Sequence, residues 1–116
     1  MQARAIAKYV GMSPRKVRMV VDLIRGRGVN EAYSILRFSK RAATEPIEKT
    51  LRSAVANAQQ KADTEGSYLD TDELVVSEAY VNEGSRQKRF RAAAMGRAAP
   101  RVKRTSHITI IVDRKE

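Results

Sequence analysis

With 116 residues, 42% apolar, 5% aromatic and no Trp, the chain has room for one modest core built from Val, Ile, Leu and Ala. A formal charge of +10 and a pI near 10.4 point to a polyanionic partner. The lack of cysteine excludes disulfides and thiolate chemistry; MQARAIAKYV lacks the apolar stretch of a secretory signal, and no run approaches the roughly 18 apolar residues of a membrane span, so a cytoplasmic protein with no membrane partner is expected.

From the N-terminus, Ala3–Val10 places Ile6 and Val10 on one side and Ala5, Ala7 and Tyr9 on the other, the alternation of a short strand. In MSPRKVRMVVDLIRGRG, Ser13 suits a helix N-cap and Pro14 the first helical position, where the missing N–H costs nothing. Val17, Val20, Val21 and Ile24 recur at helical spacing, Gly26 suits the stop, and Arg15, Lys16, Arg18 and Arg25 are left facing outward. VNEAYSILRFS offers Asn30 as a second N-cap and Ala32, Ile35, Leu36 and Phe38 for the core. A longer helix follows, with Ile47, Leu51, Ala54, Val55 and Ala58 on one face, running to about Ala62. Pro46 is tolerable there within the first turn. ADTEGSYLDTDE reads as a loop; Leu74–Val81 and His107–Val112 read as strands. The expected fold is α+β: a small three-stranded antiparallel sheet packed on about three helices, with one long protruding β-hairpin, all in a single domain 1–116. Its globular body spans 1–83 with 105–116, and its hairpin is 84–104.

Charge is distributed unevenly. Residues 1–41 carry ten Lys/Arg against Asp22 and Glu31; residues 42–83 carry Lys49, Arg52 and Lys61 against nine carboxylates. Residues 84–112 carry Arg86, Lys88, Arg89, Arg91, Arg97, Arg101, Lys103 and Arg104 and no carboxylate. Two basic regions flanking an acidic middle suggest two contact surfaces. If the last two strands pair, the second basic region becomes a ribbon turning near Met95–Gly96, with arms of roughly ten residues reaching on the order of 30 Å at about 3.3 Å per residue. An isolated two-stranded ribbon is marginal in water, and Phe90 and Val102 cannot give it a core. Its ordered form needs anions beside it, which nucleic-acid phosphates supply. Ala92, Ala93, Ala94, Ala98 and Ala99 keep the ribbon narrow enough for a crowded RNA interior.

Other chemistry is sparse, and no catalytic residue, cofactor or metal site is expected. His107 is the one histidine, and adjacent Ser106 faces the other way in a strand, so a hydrogen-bonded structural role is expected. Asp70, Asp72 and Glu73 lack the EF-hand pattern and read as a solvated loop. Gly26–Gly28 reads as a helix stop rather than a phosphate cradle. Tyr9, Tyr33 and Phe38 lack the spacing of a base-stacking platform and are assigned mostly to the core.

Four motifs resemble, in order and spacing, the bacterial form of the large-subunit ribosomal protein twenty-two family: SPRKVR…VDLIRG (Ser13–Gly26), SAVANA (Ser53–Ala58), YVNEG (Tyr80–Gly84) and KRTSHITIIV (Lys103–Val112). The resemblance covers nearly the whole chain. It implies a non-enzymatic structural constituent of the large ribosomal subunit that binds large-subunit (23S) rRNA and joins early in assembly. The implied hairpin runs along the nascent-polypeptide exit tunnel, beside neighbouring large-subunit ribosomal proteins and the passing nascent chain. On this resemblance, rRNA contacts fall on Ser13, Pro14, Arg15, Lys16, Arg18 and Arg25 at the first helix. The hairpin contacts are Arg86, Lys88, Arg89, Arg91, Arg97, Arg101, Lys103 and Arg104, and Ala94, Met95, Gly96 and Arg97 form the tunnel tip. The chain departs from the family pattern at Ala92–Ala94, where Pro-Arg-Ala is frequent, and at Met95, where a basic residue is common.

Two rival readings use the same residues. A free-standing RNA- or DNA-binding module, including a helix-turn-helix over Arg15–Phe38, would bind by charge but does not need the ribbon. An enzyme is disfavoured by a single histidine, the absence of cysteine and the lack of any recognisable catalytic spacing.

Overall fold

The computed structural model describes the backbone of residues 2–92 and 98–115, and the side chains among these up to Lys88 and from Val102. In chain order the elements are β1 (Gln2–Val10), α1 (Pro14–Ile24), α2 (Val29–Phe38), α3 (Thr44–Glu65), a 3-10 turn at Thr71–Glu73, β2 (Leu74–Ala92) and β3 (Ala98–Arg114). The sheet is antiparallel with order β1-β3-β2, so the last strand lies in the middle and the fold is the expected α+β. The expected turn at Met95–Gly96, with Ala94 and Arg97, lies outside the described residues.

Directly opposed residues share a face of a sheet, and the register here stacks three inner rows: Ala3–Val112–Val76, Ala5–Ile110–Ala79 and Ala7–Ile108–Val81. The central strand supplies the large β-branched side chains and β1 supplies alanines. Over this face α3 packs on β1 and β3, and α1 packs on β2. Val17, Val20, Val21 and Ile24 of α1 and Ile47, Leu51, Ala54, Ala58 and Ala62 of α3 close the core, all but fully buried. The alternation of β1 is broken once. Tyr9 takes a positive φ of 56°, the register shifts between Ala7 and Val10, and Val10 turns onto the core.

Several local expectations are corrected. Tyr9 is 65% exposed because of that bulge, and Phe38 is 81% exposed because α2 ends there with Ala32 and Leu36 already filling its inner face. Tyr33 and Ile35 are only partly buried against the core. Asn30 is not the cap of α2: the helix starts at Val29 after Gly28, and the Asn30 amide donates instead to the Asp72 carboxylate. Ser13 does hold the N-cap of α1, but through its carbonyl, which accepts from the N–H groups of Lys16 and Val17, and not through its hydroxyl. The third helix continues one turn past Ala62. Gly66, at φ 70°, ends it by a left-handed turn whose N–H bonds back to the helix.

Both strands of the hairpin run well beyond their expected cores. β1 accompanies β3 only as far as Ser106; from Arg86↔Arg104 to Ala92↔Ala98, seven residues of each arm pair with each other alone, about 23 Å at roughly 3.3 Å per residue. The radius of gyration is 17.5 Å with a longest dimension of 66 Å, whereas a compact chain of this length has a radius near 13 Å.

At the root of the ribbon, between the bulge at Glu83/Arg86 and the end of β1, a Cβ added to Gly84 would collide with the Thr105 hydroxyl and press on the His107 ring. Thr105 cannot easily yield, since it is β-branched and its hydroxyl donates to the Ser85 carbonyl at 2.8 Å. Gly84→Ala is therefore expected to lower stability by about 1–3 kcal/mol. In a double-mutant cycle read by denaturant midpoints, the loss should shrink in a Thr105→Ala background; an unchanged loss would place the strain elsewhere.

Candidate nucleic-acid interface

Where the third strand stops, the ribbon's charge problem begins. The register sets Arg86 opposite Arg104 and Arg89 opposite Arg101, and like charges opposed in a ladder are destabilising. Arg86 is compensated locally. Arg86 donates from Nε to Glu83 Oε1 at 2.5 Å, and this hydrogen bond is the main reason the Glu83 carboxyl sits below its ordinary pKa; partial desolvation opposes it, while the charges of Arg86, Arg104 and Arg18 add to it. Because the folded pKa is depressed, the pair is complete above the ordinary carboxylate range and is lost as pH falls through the folded value. Lys103 and Arg104 are exposed on the return arm, and Val102 between them and the tip is half exposed.

The first helix divides its cations. Arg15 and Lys16 in its first turn are exposed, and their side chains make no hydrogen bond or ion pair among the described residues. Arg18 and Arg25, expected on the outward face with them, fold back onto the edge of β2. Arg18 donates from Nε and Nη2 to the Val81 carbonyl at 3.2 and 2.9 Å. Arg25 donates from Nε and Nη2 to the Ala79 carbonyl at 3.0 and 2.7 Å, and its Nη1 pairs with Asp22 at 2.7 Å. The spacing of seven that puts both on one helical stripe is legible in sequence, but the edge carbonyls they reach are not.

The same edge is closed further down by the turn after α1: Gly26 N–H donates to the Val76 carbonyl at 2.9 Å and Val76 N–H to the Arg27 carbonyl at 2.8 Å. At the opposite edge, Asn57 and Lys61 of α3 donate to the carbonyls of Arg4 and Gln2, both at 2.9 Å. Unpaired strand edges invite pairing with other chains, and here side chains from helices occupy them.

The two basic regions meet in a groove of about 740 Å³, lined by Gly11–Ser13, Lys16 and Met19, by Arg41–Ala43, and by Val102–Arg104. Folding thus brings Ser13 and Lys16 beside Lys103 and Arg104, nearly ninety residues away in the chain. It also adds Arg41, absent from the sequence-based candidates; the Lys40-Arg41 pair ahead of α3 was its only signal. Lys88 is exposed on the outgoing arm, and the backbones of Arg89, Arg91 and Arg101 continue the ribbon. Arg97, Ala94, Met95 and Gly96 lie outside the described residues.

His107 takes the structural role expected of it. Its Nδ1 accepts the Tyr9 N–H at 3.1 Å, and the two rings meet edge to face at 4.8 Å, holding the bulge in β1. Asp70 accepts the Asp72 N–H within the 3-10 turn, and among the described residues no group of His, Cys, Asp or Glu is placed to hold a metal ion.

Residues 5–113 match the family described as ribosomal protein L22p/L17e. The chain belongs to this family. A large ribosomal subunit protein uL22 from Desulfitobacterium hafniense is 56% identical over 115 residues, 99% of this chain and 96% of its own. Proteins of the same description from Bifidobacterium longum and Oceanobacillus iheyensis are each 53% identical over 116 residues, covering 100% of this chain and 98% of theirs. The L22p/L17e family is one of ribosomal proteins, not enzymes, which agrees with a surface whose chemistry is charge and shape.

The split among the helix cations has a measurable consequence. Arg18→Ala and Arg25→Ala should each lower stability by about 1 kcal/mol, after allowing for solvent screening of partly exposed charge-assisted bonds. Arg15→Ala and Lys16→Ala should stay within about 0.5 kcal/mol of the parent. Denaturant melts of the four variants check this, and equal losses in all four would contradict the division.

Proposed function

We propose that the chain binds large-subunit rRNA through two joined basic surfaces, the first turn of α1 and the hairpin. The hairpin then extends into the RNA interior and lines a stretch of the nascent-polypeptide exit tunnel. Family membership makes the protein a structural constituent of the large ribosomal subunit and puts it in the cytoplasmic ribosome. On this reading it acts as a single domain, with a globular body of residues 1–83 and 105–116 and an extended arm of residues 84–104. It assists early assembly, touches neighbouring large-subunit proteins beside the tunnel, and meets the nascent chain at Ala94, Met95, Gly96 and Arg97.

One observation carries the reading: a two-stranded ribbon continues seven residue pairs beyond its last supporting strand, in a stretch with no carboxylate between Glu83 and Asp113. Nothing within residues 84–112 neutralises that charge, and a phosphate backbone would. The rRNA contacts are Arg15 and Lys16 with Ser13, and Arg86, Lys88, Arg89, Arg91, Arg97, Arg101, Lys103 and Arg104. Arg18 and Arg25 contribute to the field while holding β2, so their share is the smaller.

Binding to large-subunit rRNA, small-subunit rRNA and a scrambled RNA across a salt series tests this. Six to eight phosphate contacts on single strands predict a slope of log K against log salt of about −4 to −6. Preference for large-subunit rRNA should persist at high salt; equal and steep loss on all three would leave a charge-driven RNA-binding module in its place. Glu83→Gln frees Arg86 and should tighten RNA binding while steepening the slope by about 0.7, the release of one further counterion. An unchanged slope would mean that Arg86 does not face the RNA.

A further inference from the structure

The groove between the start of α1, the Arg41–Ala43 segment and β3 has a composition that phosphate binding alone does not explain. Phosphates ask for cations, yet the walls here are largely apolar: Met12, Met19 and Val102, with Ala42 and Ala43. Met19 and Val102 leave about half of their surface exposed, at 50% and 47%, beside Lys16, Arg41 and Arg104. The Arg41 Nη1 lies 3.9 Å from the Met19 Sδ, so a guanidinium borders the thioether. The wall is also fixed from behind. Buried Ser106 donates from its hydroxyl to the Met12 carbonyl at 2.6 Å, and Met12 N–H donates to the Val10 carbonyl at 2.8 Å. The groove is open to solvent on one side, and its volume of about 740 Å³ is large enough for a planar base.

We propose that this groove takes an unstacked base from a single-stranded segment of RNA, with the phosphates flanking that base held by the surrounding cations. The proposal rests on the RNA-binding reading above and specifies its ligand at one place. No carboxylate lines the groove, so an occupant with a neutral planar centre and an anion on either side is complementary to it. Methionine sulfur makes favourable contacts with aromatic rings, and guanidinium planes stack on bases. Base-paired RNA fits poorly, because its bases are stacked and its deep major groove does not admit side chains.

Methyl-labelled methionine in the full chain reads the groove directly, with the resonances of Met12 and Met19 assigned by Met12→Leu and Met19→Ala. The probes are a short oligoadenylate, its duplex with oligouridylate, and an abasic oligonucleotide of the same length and charge. The expected result is an upfield displacement of both methyls by the single strand alone, with the abasic strand binding about fivefold or more weakly, as loss of one base contact requires. Met19→Ala, at a half-exposed position whose truncation leaves the core intact, should narrow that difference without changing the salt slope. Equal binding of intact and abasic strands with unmoved methyls would overturn the proposal, leaving only a basic rim; so would absence of binding at low salt. Displacement of the methyls by an acidic apolar peptide but not by RNA would assign the groove to a protein partner instead. A retained preference for large-subunit rRNA alongside unmoved methyls would sink the base site while sparing the broader reading.

Discussion

The structure depends on the pairing of its last strand. β3 lies between β1 and β2, so the N-terminal strand cannot complete the sheet until the C-terminal one is in place. Inside the globular body β3 is bonded on both sides and carries Ile108, Ile110 and Val112 into the core at zero exposure. From Ala98 to Arg104, before it reaches Ser106, it pairs with β2 alone. The transition from three strands to two is the boundary between the region of the protein that supports itself and the region that does not.

The cations of the body and the ribbon do two kinds of work. Arg18 and Arg25 give their donors to backbone carbonyls of β2, and Lys61 gives its ammonium to β1. These charges are used within the molecule, closing edges that would otherwise template association. Arg15, Lys16 and Lys103 make no such bonds among the described residues. Of the 23 Lys and Arg side chains, those held on strand edges are thus less available to a partner than Arg15, Lys16 and Lys103.

The alanine-rich side of β1 and the small residues of α3 belong to the same economy of space. With Ala3, Ala5 and Ala7 facing Ala54, Ala58 and Ala62 within one core, helix and strand can approach closely, and the volume is filled by the β-branched residues of β3. That close approach lets Asn57 and Lys61 reach the β1 carbonyls. At the ribbon's root, Gly84 performs the corresponding service by making room for Thr105 and His107, and His107 in turn holds the bulge that turns Val10 inward.

By itself the sequence determined the α+β class, the apolar stripes of α1 and α3, the strands flanking the basic segment and the family, because periodicity, turn residues and motif order are local properties of the chain. Tertiary structure alone decided what depends on distant groups. Tyr9 and Phe38, apolar enough for a core, were left outside by a bulge and a helix end. Asn30 gave up a capping role for Asp72. Arg18 and Arg25, seven residues apart on one stripe of α1, were drawn to carbonyls more than fifty residues away. The groove that joins Lys16, Arg41 and Arg104 exists only because the antiparallel return of β3 sets residues 102–104 beside the first turn of α1, a contact that sequence spacing does not encode.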